Sequence, residues 1–329
     1  MDPFKLLQQK WNPPADPDVS FAGKTVIVTG GSSGLGFEAA LKFARKGASK
    51  VILGVRSLAN GQVAKDAIES KTGRKSSVEV WELEMGDYDS IKAFVKKAEG
   101  LEKVDIVVLN AGLLAKDYRV GKYGWEATLQ VNVLSTSLLA ILLLPKLRAS
   151  KTAHWTPVIE IVSSGLHAKV NVSEAAENAP LEEYNKPEGF EGQQQYNRSK
   201  LLVQCVVRAL AKRLQPNEET DPEVIITSVC PGACATGLGR ELMTNFFIRM
   251  AAAVFFALFF RTAEQGARSF VSATIQGNAA NGRFWKNDVF QPDAANISGE
   301  KGERLVDLVW YEVVRSLSKD VPEITGLVN

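Results

Sequence analysis

The chain has 329 residues, 45% of them hydrophobic and 23% charged, with a net charge of +2. This is an ordinary globular composition, long enough for one large α/β domain or two small ones, and the near-neutral balance gives no electrostatic pull toward nucleic acid. Three cysteines, Cys205, Cys230 and Cys234, are too few for a disulfide framework; with only two histidines in the chain they read as small buried thiols and not as a metal site.

Residues 1–22 form an N-terminal extension, a short helix followed by a Pro-rich tether, with no apolar core of signal-peptide length. A cytoplasmic protein is the expectation. From residue 25 the chain alternates β-branched runs with amphipathic stretches. The runs are 25-TVIVT-29, 50-KVILGV-55, 78-VEVWEL-83, 104-VDIVVLN-110, 157-PVIEIVS-163 and 224-VIITSV-229, with a short last strand near 283-RFW-285. Several are apolar throughout, as strands covered on both faces are. Helices are predicted near 35–46, 57–71, 89–98, 123–148 and 196–214. Strand–helix–strand repetition predicts an α/β fold with a doubly wound, mainly parallel sheet in a single domain over 23–329.

The first strand runs into 29-TGGSSGLG-36 and then a helix. Glycine permits positive φ and close backbone approach, and a helix N-terminus offers unpaired N–H groups to a pyrophosphate. The pattern Thr29-Gly30-x-Ser32-Ser33-Gly34-Leu35-Gly36 therefore predicts dinucleotide binding; the alternative is a tight turn. The second strand ends at Val55-Arg56, where an NAD enzyme usually places a carboxylate for the ribose diol. A guanidinium there suits a 2′-phosphate, which favours NADP(H) over NAD(H), unless Arg56 is only a solvated loop residue.

Two stretches set further expectations. Residues 169–195 are a polar insert. The segment 237–262 should lie beyond the carboxyl ends of the strands, over the ligand. It carries Phe246, Phe247, Met250, Phe255, Phe256, Phe259 and Phe260, and its most apolar run, 250–260, is too short to span a bilayer. It reads as a helix pair packed on the body or at a subunit interface, as a greasy pocket wall, or as a patch for peripheral membrane contact.

In 193-QQQYNRSKLL-202, Tyr196 and Lys200 stand one helical turn apart and leave the same face. Together with TGGSSGLG, Asn110-Ala111-Gly112, Asn132 within VNV, 161-IVSSG-165 and 231-PGACAT-236, in that order, they make the chain resemble the classical short-chain dehydrogenases/reductases. Within that family it is similar to retinol-dehydrogenase-like and WW-domain-oxidoreductase-like members, on 84-EMGDYDSIKAF-94, 163-SSGLH-167 and 258-LFFRTAEQGA-267. It is expected to depart from them in having no N-terminal membrane anchor, and it carries the insert.

The resemblance implies a Rossmann fold with strand order 3-2-1-4-5-6-7. It implies a catalytic set of Asn132, Ser164, Tyr196 and Lys200. Tyr196 is the proton donor, made more acidic by Lys200, which also holds the nicotinamide ribose. Ser164 orients the substrate oxygen, with Ser163 as the alternative. Asn132 anchors a water relay. Asn110 braces the sheet and Ala111 and Gly112 line the cofactor; Glu84 and Met85 border the adenine; Pro231, Gly232 and Thr236 flank the nicotinamide. The expected function is reduction of a bulky apolar ketone or aldehyde (natural-product, lipid-like or steroid-like), or oxidation of the alcohol. A non-redox step on the same fold and a cofactor-binding regulatory protein are the alternatives, and a homodimer is a family-level expectation.

Overall fold

The computed structural model describes residues 3–215, 217, 219–242 and 246–328. Eight strands form one sheet in the order β3-β2-β1-β4-β5-β6-β7-β8. β1 (Thr25–Thr29), β2 (Lys50–Val55), β3 (Val78–Glu82), β4 (Ile106–Leu109), β5 (Val158–Val162), β6 (Ile225–Cys230) and β7 (Phe284–Lys286) are parallel. β8 (Val289–Gln291) folds back antiparallel on β7. Its connection is Asn287-Asp288, both at positive φ (53° and 58°), the two-residue turn whose twist matches a hairpin. The sheet is thus the expected doubly wound one with an added edge strand.

The helices are α1 (Pro3–Trp11), α2 (Gly34–Arg45), α3 (Leu58–Thr72), α4 (Tyr88–Glu99), α5 (Ala127–Ser150, π-helical over Gln130–Ser135), α6 (Gly192–Leu214), α7 (Phe246–Phe259), α8 (Ala263–Ala273) and α9 (Gly299–Ser318). α4, α5, α6 and α9 pack on one face of the sheet, α2, α3 and α8 on the other. That double cover is why β1, β4 and β6 are buried at every position. Among the described residues α5 alone is long and apolar enough to cross a membrane, but most of it is buried as the core helix of the first layer.

The insert is fastened down. Its short helices Glu174–Asn178 and Pro180–Tyr184 reach α9 through Leu181 N–H to Glu312 (2.8 Å). Asn185 accepts from Glu126 N–H (2.7 Å) and donates to the Gly124 carbonyl (3.0 Å), bracing the loop ahead of α5. The N-terminal extension is likewise docked. Arg261, 1% exposed, donates to the carbonyls of Gln9 (2.8 Å), Asn12 (2.9 Å) and Pro231 (3.2 Å), and Lys42 pairs with Asp16 at 2.8 Å.

One strand residue breaks the apolar rule. Glu160 lies in the middle of β5, between Val108 and Thr227, fully buried, with neither carboxylate oxygen hydrogen-bonded. Burial pushes its pKa well above the usual carboxylate range, so it is held protonated while the unfolded chain ionises near 4.5. A raised folded pKa contributes stability that is full below the unfolded value and is lost as pH rises toward the folded one. Above pH 4.5 the wild type should therefore lose stability through this group as pH rises. Glu160→Met should abolish that slope and be the more stable protein at neutral pH. Urea unfolding of both across pH 5–8 checks this; parallel curves would refute it.

Candidate active site

All six parallel strands from β1 to β6 end at the same edge, and the strand order reverses between β1 and β4. Ligands lie in the crevice at such a switch. A cavity of about 540 Å³ opens there, within the range of small-molecule sites. Every segment following a strand from β1 to β6 contributes to its wall: 30 and 32–35 after β1, 55–56 at the end of β2, 83–85 after β3, 110–113 after β4, 162–164 at β5, and 230–232, 234 and 236–238 at β6.

The glycine turn fits a pyrophosphate. Gly30 and Gly34 hold φ of 65° and 55°, a region that L side chains avoid. A Cβ on Gly36 would stand 2.4 Å from the Gly30 carbonyl oxygen and 2.5 Å from Asn110 Nδ2. Ser33, the N-cap of α2, makes no side-chain cap hydrogen bond, which leaves first-turn N–H groups of the helix to an anion. Gly30, Ser32, Ser33, Gly34 and Leu35 line the cavity; Thr29 and Gly36 stand behind it. Thr29 Oγ1 accepts from the N–H groups of Asn110 and Ala111, both at 2.9 Å, and Asn110 Nδ2 donates to the Thr29 carbonyl at 2.9 Å. These bonds lock the β1 turn to the β4 turn, so Ala111 and Gly112 face the same cavity.

At the far end Arg56 lies at the mouth, largely exposed, with Nε 3.9 Å from Glu84 Oε2. Glu84 turns its other oxygen back on Gly86 N–H at 3.0 Å. A carboxylate thus stands beside the guanidinium although none follows it in the chain. It comes from the β3 loop, with Met85 next to it in the wall.

At the near end Ser164, Tyr196 and Lys200 meet in the wall. Tyr196 and Lys200 come from the first turns of α6 and Ser164 from the end of β5. The structure separates the two serines. Both line the wall, but Ser163 Oγ, 2% exposed, already accepts from Gln204 Nε2 at 2.7 Å. Ser164 caps the turn Gly165–Lys169, its Oγ accepting from Leu166 N–H at 3.3 Å, and lines the cavity together with Tyr196. His167 Nδ1, protonated because its partner is a carbonyl, donates to Ser164 O at 2.7 Å and steadies that turn.

The electrostatics differ from the sequence expectation. Burial, with the nearby Cys230 thiol, pushes the Tyr196 phenol up, and the Ser164 hydrogen bond offsets this only in part. Burial also drives Lys200 down to about 8. Its Nζ donates to the Val162 carbonyl at 2.7 Å and lies 5.5 Å from the Tyr196 ring centroid. From the protein's own groups alone, burial biases both side chains toward their neutral forms.

Asn132 sits in the π-helical stretch of α5, behind the cavity. Its Nδ2 donates to the Leu113 carbonyl (2.9 Å) and to Ser199 Oγ (3.0 Å), while its Oδ1 accepts from Leu113 N–H (2.8 Å). Ser199 in turn donates to the Tyr196 carbonyl at 2.7 Å. Asn132 thereby ties the β4 turn to the helix that carries Tyr196, with both amide protons committed.

Pro231, Gly232 and Thr236 line the cavity. From the segment expected to cover the site, Gly237 and Leu238 also line it, whereas Phe255, Phe256, Phe259 and Phe260 pack on one another. The side chains of Phe246 and Phe247 lie outside the described residues. Sequence reasoning missed Cys230, which takes Gly165 N–H on its sulfur at 3.4 Å, and Arg119, both in the wall.

The profile of the short chain dehydrogenase family matches residues 24–175. The chain is 40% identical to the short-chain dehydrogenase/reductase phmF of Phaeosphaeria nodorum, over 99% of this chain and 96% of that protein. It is 41% identical to the short-chain dehydrogenase/reductase ffsI of Aspergillus flavipes, over 97% and 93%. Among solved structures, a putative uncharacterized protein from Mycobacterium paratuberculosis aligns with a TM-score of 0.65 at 24% identity over 91% of this chain and 95% of that one. L-sorbose reductase from Gluconobacter frateurii, complexed with NADPH and L-sorbose, aligns with a TM-score of 0.63 at 20% identity over 82% and 97%. With its glycine turn, its Ser–Tyr–Lys meeting point and relatives alike over nearly their whole length, the chain belongs to the short-chain dehydrogenase/reductase family of oxidoreductases.

Proposed function

We infer that the protein reduces a ketone or aldehyde on a bulky, apolar substrate, or oxidises the matching alcohol, using NADP(H) in preference to NAD(H). The observation that carries this reading is one cavity with Ser164, Tyr196 and Lys200 at one end, and the glycine turn and Arg56 toward the other.

A bound nicotinamide supplies the hydride in reduction and takes it in oxidation. The protein's own groups do the rest. Tyr196, kept protonated by burial, holds the proton at its phenol oxygen for the developing alkoxide. Ser164, in the wall of the same cavity, offers its Oγ to the same oxygen and stabilises its growing charge. Lys200 is close enough to favour the phenolate once the proton has left. Gly30, Gly34 and the open first turn of α2 hold the pyrophosphate, and Arg56 takes the 2′-phosphate. Leu113, Val131 and Leu238 in the wall favour an apolar substrate.

The test is cofactor consumption with a panel of carbonyls. kcat/KM for bulky apolar ketones and aldehydes should exceed that for small polar ones by about 100-fold, the discrimination that a few buried methylenes supply. Equal rates across the panel would refute the substrate class, and no turnover with either cofactor would refute the reaction.

A further inference from the structure

The outer face of α7 reverses the usual pattern of a surface helix. Its described exposed residues, Met250, Val254, Phe255, Ala257 and Leu258, are all apolar. Met250, Val254 and Leu258 follow one another at four-residue steps and form a ridge; Met250 and Leu258 are each 56% exposed. A surface helix normally turns its polar side outward.

α1 extends this face. The two helices are joined by a hydrogen bond from Lys10 Nζ to the Ala257 carbonyl. Arg261, just past α7, holds the end of α1 through Gln9 O and Asn12 O. Leu6 points inward, while Phe4 and Trp11, seven residues apart, are 79% and 76% exposed. The patch is therefore two helices wide and is carried by an anchored strap.

Charge decides what covers it. Neither helix contains an Asp or a Glu; their charges are Lys5, Lys10 and Arg249. In a symmetric dimer this same patch would meet itself, bringing lysines together with no carboxylate in either helix to pair them. A bilayer surface supplies both missing partners, acyl chains for the apolar ridge and anionic headgroups for the lysines. We propose that the α1–α7 face docks the protein on an anionic phospholipid surface. The face adjoins the cavity: Arg261 N–H bonds to the Ala233 carbonyl (2.8 Å) and Ala235 N–H to the Arg261 carbonyl (3.0 Å), so the end of α7 is stitched to the loop whose Pro231, Gly232 and Cys234 form the cavity wall.

The experiment is co-sedimentation of the full chain with phosphatidylcholine vesicles, with and without phosphatidylserine. Wild type sediments with the phosphatidylserine vesicles and much less with the neutral ones. The double substitution Trp11→Glu and Leu258→Glu lowers partitioning at least tenfold, since loss of one large buried apolar side chain is already worth that factor. Both positions are exposed, so thermal unfolding and dinucleotide binding stay as in wild type. Vesicle binding needs no turnover, so this test stands whether or not the redox reading holds. Wild type remaining in the supernatant with both vesicle types would overturn the proposal, as would equal partitioning onto both. So would a solution dimer of wild type that the double variant converts to monomer, which would show that a second copy covers the face.

Discussion

Tyr196→Phe should lower kcat/KM for carbonyl reduction by about 10²- to 10⁴-fold, the range that one positioned proton donor contributes, while changing dinucleotide affinity less than threefold. The change removes only the hydroxyl; the ring, 9% exposed, keeps its place in the wall and its distance to the lysine. The pH profile separates a chemical role from a packing one. Burial holds the phenol above its ordinary value, so the acid form needed for reduction persists through neutral pH, whereas the base form needed for oxidation is scarce. Lys200, brought down to about 8, loses its positive charge as pH rises through that value, so wild-type kcat/KM should break near pH 8. In Tyr196→Phe the residual rate should be flat there, because no phenol is left for the ammonium to influence. Steady-state rates from pH 6 to 10 decide it; full activity in the variant would refute the assignment of the acid.

The parts of this site that were legible in the sequence are those fixed by local chain geometry. An apolar run entering Gly30, Gly34 and Gly36 and then a helix needs no tertiary information, and neither does the one-turn spacing of Tyr196 and Lys200. What stayed hidden depends on partners distant in the chain. Ser163 and Ser164 are equivalent in sequence, and only the packing of Gln204 shows which hydroxyl is already taken. Glu84 lies 28 positions from Arg56, yet the pairing of β2 with β3 sets it beside the guanidinium. The acidifying effect expected of Lys200 took no account of desolvation, which the depth of the cavity dictates. Two signals were present and unread. Glu160 interrupts a strand covered on both faces, and Asn287-Asp288 between two short β-branched or aromatic runs marks a hairpin. The C-terminal helix α9 begins past the last strand, so the strand–helix rhythm carries no information about it.

Arg56→Asp should move cofactor preference, taken as the ratio of kcat/KM for NADPH to that for NADH, by about 10²- to 10³-fold toward NADH. In the protein the guanidinium is held only by Glu84 at 3.9 Å, with 73% of its side chain exposed. A surface pair of this kind is worth at most about 1 kcal/mol, so Arg56 can turn to a 2′-phosphate at little cost and grip it with two parallel N–H bonds. Charge-assisted bonds contribute about 1.5–3 kcal/mol, which accounts for one to two decades. The rest comes from repulsion between the phosphate and the introduced carboxylate, and from that carboxylate accepting the ribose diol of NADH. Glu84 offers an opposing control. Its charge stands beside the same phosphate position, so Glu84→Gln should raise NADPH preference several-fold, shifting the ratio in the reverse direction. The two arms must move oppositely if the β2–β3 mouth reads the phosphate. Turnover at saturating cofactor should stay near wild type in both, because Arg56 follows β2 and Ser164 follows β5, three strand spacings or about 14 Å apart across the sheet. An unchanged ratio in Arg56→Asp would show that the phosphate is read elsewhere, and a collapse of kcat in place of a change in KM would show that the substitution had disturbed the Ser–Tyr–Lys end of the cavity.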